Sequence, residues 1–116
     1  MKKSIIIDQS VQVSGKRLDF IYYLCDFIMS DLYLDTLTVN ISSYKDMNQY
    51  DANGLCLGYD EIEIINKRDK NELISVIAHE IRHCYQHKHN IFNKDTLKME
   101  RDACEYEKRI KKMIDK

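Results

Sequence analysis

From Lys16 onward, apolar side chains recur at spacings of three and four: Leu18, Ile21, Tyr22, Leu24, Cys25, Ile28 and Met29. That stripe predicts an amphipathic helix, fading near Ser30-Asp31. Before it, SIII and VQV can form short strand segments, closed by a Ser14-Gly15 break. Over residues 36–42 the pattern changes to strict alternation, with Leu37, Val39 and Ile41 set against Thr36, Thr38 and Asn40. This is a half-buried strand. The polar run SSYKDMNQYDANG reads as a loop, with Asn53-Gly54 its strongest turn signal. Leu55 and Leu57, then Ile62 and Ile64, alternate again around Gly58-Tyr59-Asp60, predicting one or two strands of an antiparallel sheet. A polar link over residues 66–70 precedes a helix from about Asp69 to about His89, and a second runs from about Lys94 to the end. The expectation is a single α+β domain over residues 1–116: an N-terminal helix, a small antiparallel sheet, and two C-terminal helices.

Composition narrows the function classes. A formal net charge of −1 offers no basic field for nucleic acid or an acidic membrane surface. The lysines of KRIKK (108–112) read as a solvated helix face. No apolar run approaches a membrane span, and MKKSIIIDQS lacks the apolar core of a signal peptide, so a cytoplasmic protein is expected. Cys25, Cys56, Cys84 and Cys104 are widely spaced without a C-x-x-C pair, which predicts reduced thiols.

The chemistry is concentrated in IAHEIRHCYQHKHN, which holds all four histidines of the chain. On a helix, Leu73, Val76, Ile77, Ile81 and Cys84 share one arc, with His79 and His83 stacked at its edge. Glu80 falls among the apolar positions, where an acid without a task would cost several kcal/mol or take up a proton. His79-Glu80-x-x-His83 is the H-E-x-x-H pattern. Imidazoles at i and i+4 can aim one nitrogen each at a Zn²⁺ ion, and the intervening glutamate can take a proton from zinc-bound water. His87 continues the row, but about 12 Å from His79 along the axis it cannot share the ion and is expected in solvent.

Two residues compete for the third ligand position. Glu100 sits on one face of the last helix with Leu97, Ala103 and Cys104, and the small Ala103 leaves room for a facing helix. His89 completes the metzincin spacing H-E-x-x-H-x-x-G-x-x-H, except that Gln86 stands where glycine is needed to stop the helix and swing the third histidine round. No hydroxyl or guanidinium donor for an oxyanion stands out; Tyr59, Tyr85 and Tyr106 read equally well as packing residues.

Together, HEIRHCYQ and ERDACEY resemble the active-site core of small gluzincin metallopeptidases, including the minimal proteins of bacterial and phage genomes. The resemblance spans roughly residues 54–107. It implies zinc held by His79, His83 and Glu100, with Glu80 as general base. It also implies a protein or peptide substrate added to an edge strand around Tyr59 to Ile65, by the backbone pairing that extended peptides use generally. Where that family often has Asn or Asp orienting a ligand histidine, this chain has Cys104. Asp102 is about 200° round the helix from Glu100. The alternative function is a zinc-bound domain that has lost turnover and binds a partner. Retention of Glu80 favours the enzyme, because structural zinc needs no base.

Overall fold

Ser14 opens the first helix by accepting from the Arg17 backbone N–H, and Tyr33 closes it in a left-handed conformation with φ 56°. This helix, α1 (Gly15–Leu32), follows strand β1 (Ser4–Gln9) in a computed structural model that describes residues 3–43, 53–66 and 69–114. Strands β2 (Thr36–Ser42), β3 (Gly54–Cys56) and β4 (Glu61–Ile65) come next. Helix α2 (Lys70–His89), a 3₁₀ turn (Ile91–Lys94) and helix α3 (Thr96–Ile114) complete the chain. The α+β class is as the periodicity predicts. The VQV segment is not a strand, and Tyr22, expected in the apolar stripe of α1, is 51% exposed. Most of the predicted loop, residues 44–52, lies outside the described residues.

The sheet corrects the expectation of an antiparallel arrangement. Its order is β1-β2-β4-β3; β1 and β4 both run parallel to β2, and only β3 is antiparallel to its neighbour β4. Period-two alternation tells which face of a strand is buried and is silent about direction. Direction is set by the connections, and α1 supplies the crossover that lets β1 and β2 lie parallel. The strand near Tyr59 to Ile65 is therefore not at the edge. It is β4, inside the sheet, and the edge on the side of α2 is β3.

One face of the sheet carries Leu37, Val39, Ile41, Ile62 and Ile64, all at or below 2% exposure. They meet Ile21, Leu24 and Ile28 of α1 and Leu73, Ile77 and Ile81 of α2 in a single apolar core. The opposite face is polar and paired across strands: Asn40 donates to Glu61 at 2.7 Å, and Ser42 donates to Glu63 at 2.6 Å.

Asp69 caps α2 by accepting from the N–H groups of Asn71 and Glu72. At its other end Asn90, Phe92, Asn93 and Lys94 take left-handed backbone angles, φ between 48° and 64°. Four such residues without a glycine turn the chain sharply, at a conformational cost the packing beyond must offset. Helix α3 runs back along α2, burying Ala103, Tyr106 and Ile110. Ala103 fulfils the expectation of a small residue at the helix–helix contact.

Candidate metal centre

The antiparallel run of α3 brings Glu100 opposite the His79–His83 pair. His79 Nε2 lies 3.0 Å from Glu100 Oε2, His83 Nε2 lies 3.0 Å from Glu100 Oε1, and the two Nε2 atoms are 3.1 Å apart. The two imidazole contacts fall on different oxygens of Glu100, and one donor atom from each of positions 79, 83 and 100 forms a triangle with sides within 4.8 Å. Donors held about 2.0–2.1 Å from a tetrahedral ion sit roughly 3.3–3.4 Å from one another. The Nε2–Nε2 separation needs to open by only a few tenths of an ångström.

What the other ring nitrogens do decides how this triangle behaves. His79 Nδ1 is 3.0 Å from Glu107 Oε1, a carboxylate that accepts from this nitrogen in the Nδ1–H tautomer. His83 Nδ1 is 2.7 Å from Gln86 Oε1. The amide nitrogen of Gln86 donates to the Met99 carbonyl at 2.9 Å and to Asp102 Oδ2 at 2.8 Å, which fixes the amide so that its oxygen faces the histidine. In the tautomer with the proton on Nδ1, each imidazole turns a bare Nε2 toward the other and toward a carboxylate. Three lone-pair donors converging without a hydrogen among them repel, and a cation between them removes the repulsion.

Of these supporting residues Glu107 had no role in the sequence reading, Gln86 entered it only as the break in the metzincin spacing, and Asp102 only as a substitute for Cys104. Glu107 lies seven residues after Glu100, two turns along the same face, and does for His79 what Cys104 cannot. Cys104 itself is exposed. Asp102 does not reach a histidine; it acts through Gln86 and is paired with Arg82 at 2.7 and 3.2 Å. Burial alone would push the Asp102 carboxyl up, but the Arg82 and Gln86 donors hold it below the ordinary aspartate value. Arg82 is in turn flanked by the rings of Tyr85 and Tyr106. The Gln86 that breaks the metzincin pattern is thus 1% exposed and orients His83.

His89 is the last residue of α2, which continues unbroken past Gln86, and its ring packs on Tyr85 with centroids 4.6 Å apart. Among the described residues, the sets able to converge on one ion are His79/His83/Glu100 and His79/Cys104/Glu107. The second uses the same imidazole through Nδ1, whose proton Glu107 already accepts. His87 is exposed, as expected. Of the tyrosines weighed as oxyanion donors, Tyr106 donates its hydroxyl to Asp31 at 2.8 Å, and Tyr85 is stacked between Arg82 and His89.

Glu80 is buried, and among the described residues none donates to its carboxylate. Burial pushes its carboxyl above the ordinary value; His79 and His83 pull it down in part, while Glu100 and Glu107 push it up. Two clefts of about 510 Å³ each adjoin it and share Gly54, Glu80 and Glu100. They form one groove across the triangle, bordered by the edge strand β3. At 53% side-chain exposure, Glu100 stands open to this groove.

Gly54 was read as part of a turn, yet it opens β3 and lies directly against α2. A Cβ there would stand 2.8 Å from Val76 Cγ1, 3.0 Å from Glu80 Cγ and 3.3 Å from the Glu63 carbonyl oxygen. Valine on a helix has essentially one rotamer and cannot turn aside. Overpacking costs about 1–3 kcal/mol, against about 0.4–1 kcal/mol gained from a stiffer unfolded chain, so Gly54→Ala is expected to destabilise. A lowered urea midpoint with unchanged slope checks this.

The chain matches no family model, and neither the curated proteins nor the solved structures contain a significant match to it. No helix among the described residues is long and apolar enough to cross a membrane.

Proposed function

We propose that this protein is a zinc-dependent metallopeptidase of the gluzincin type, acting on a protein or peptide substrate. The observation that carries the reading is the convergence of the His79 and His83 Nε2 atoms on Glu100, with an acceptor beside each Nδ1. Two nitrogens and a carboxylate oxygen suit zinc, and three protein ligands with an open side suit a catalytic rather than a structural ion. Zinc held by His79, His83 and Glu100 supplies Lewis acidity, polarising a carbonyl and acidifying water.

The remaining work falls to the chain. Glu80 accepts a proton from the attacking water and returns it to the leaving amine. Its burial among Val76, Gly54 and the histidines excludes competing solvent. The β3 edge supports an extended substrate. Leu57 N–H donates to Glu61, and Ile65 N–H donates to Asn53, so by antiparallel alternation the backbone groups of Gly54 and Cys56 point away from β4. Among the described residues no backbone group pairs with them, and they can pair with a peptide laid along the groove. This edge, rather than residues 59–65, is where the substrate is expected to add.

Protein loaded with one equivalent of zinc should cleave members of an unbiased peptide library, and chelation should stop it. Stoichiometric zinc with no cleavage of any peptide would favour the partner-binding alternative instead. Disturbing the groups behind the ligands should also register. Gln86→Leu leaves the His83 Nδ1–H without its acceptor, and changes of this kind cost about 10–100-fold in metal affinity. Competition with a chromogenic zinc chelator measures it.

A further inference from the structure

Two of the four cysteines face each other across the groove wall. Cys56 on β3 and Cys84 on α2 have their sulfurs 3.5 Å apart. The disulfide bond length is about 2.05 Å, so a closure of roughly 1.5 Å would join them. Their accessibilities differ in a useful way. Cys84 is fully buried, next to His83 in sequence, and among the described residues its thiol hydrogen-bonds with Cys56 and, at 3.7 Å, with the Glu61 carbonyl. Cys56 is partly exposed and lines the groove together with Glu80 and His83. Cys25 and Cys104 lie elsewhere, one fully buried in α1 and one exposed on α3.

We propose that Cys56 and Cys84 form a dithiol that is oxidised reversibly to a disulfide, fastening the edge strand β3 to helix α2 behind Glu80. A small disulfide such as oxidised glutathione serves as oxidant. The Cys56 thiolate attacks one of its sulfurs through the groove, forming a mixed disulfide and releasing one glutathione thiolate. The Cys84 thiolate then attacks the Cys56 sulfur and expels the second. The protein loses two electrons and two protons, and one glutathione disulfide becomes two thiols. The order follows from access: Cys56 meets the oxidant, and Cys84 can reach only Cys56.

Closure has a mechanical consequence. The Cys56 thiol gives up its 2.8 Å contact with the Gly58 carbonyl, and β3 is drawn onto a helix that already has no room for a Cβ at Gly54. The groove narrows at Glu80, so oxidation slows turnover. This regulatory half rests on the peptidase reading, whereas formation of the disulfide does not.

The zinc-loaded full chain is equilibrated in glutathione buffers of falling reduced-to-oxidised ratio, alkylated, digested and mapped by mass spectrometry, with peptide cleavage followed in parallel. Expected is a Cys56–Cys84 cross-linked peptide in wild type and in Cys104→Ser, absent from Cys84→Ser and lost on adding dithiothreitol. Misplacement of about 1 Å can cost on the order of a hundred-fold in rate, so a fall of ten- to a hundred-fold on oxidation is expected. That fall reverses on reduction and is missing when oxidised Cys84→Ser is compared with its own reduced form. Recovery of only glutathione adducts at Cys56 or Cys104, with no cross-link at any ratio, overturns the proposal. A cross-link with cleavage unaffected overturns its regulatory half. A cross-link in a protein that cleaves nothing in either state leaves the disulfide standing and rejects the peptidase.

Discussion

Glu80→Gln should keep its zinc and lose peptide cleavage by about a hundred- to ten-thousand-fold, the range assigned to a positioned general acid–base group. Glutamine has the same shape and fills the same space beside Gly54 and Val76. The fold and the three ligands should be undisturbed, because no hydrogen bond of the site passes through Glu80. Removing a buried carboxylate to which no described residue donates should if anything stabilise the chain. Zinc content by native mass spectrometry, urea midpoint and initial cleavage rate together check the prediction. Equal rates for the two proteins on every cleaved peptide would remove the enzyme reading.

Glu100→Ala is expected to weaken zinc binding more than about a hundred-fold, since loss of a ligand must exceed the 10–100-fold cost of disturbing a supporting group. Both carboxylate oxygens of Glu100 lie 3.0 Å from a histidine nitrogen, one from His79 and one from His83, so its removal takes away both contacts at once. The side chain is largely exposed, so the helix should tolerate alanine without loss of fold. His89→Ala should leave zinc affinity unchanged, because that ring packs on Tyr85 at the end of α2. Titration of apo protein against a competing chelator compares all three. Zinc lost from His89→Ala and kept by Glu100→Ala would reverse the assignment.

The site was legible where one helix carries it. His79, Glu80 and His83 are close in sequence, and helical periodicity alone stacks the two histidines and sinks the acid. Glu100 was reachable because an acid beside a small residue on the next helix is locally odd. Glu107 and Gln86 were not, since each matters only through what it meets across the α2–α3 interface. Gln86 was even misleading, as the residue that spoils a three-histidine spacing.

By itself the sequence determined the helices, the buried faces of the strands and the H-E-x-x-H trio, because period and turn chemistry are properties of neighbouring residues. Tertiary structure alone decided the rest. Strand direction and order depend on connections, so it took the fold to move the open edge from residues 59–65 to Gly54–Cys56. It also took the fold to turn a supposed turn glycine into a packing contact. The acceptors beside Nδ1 of His79 and His83 lie 28 and 3 residues away, and only the return of α3 along α2 fixes both.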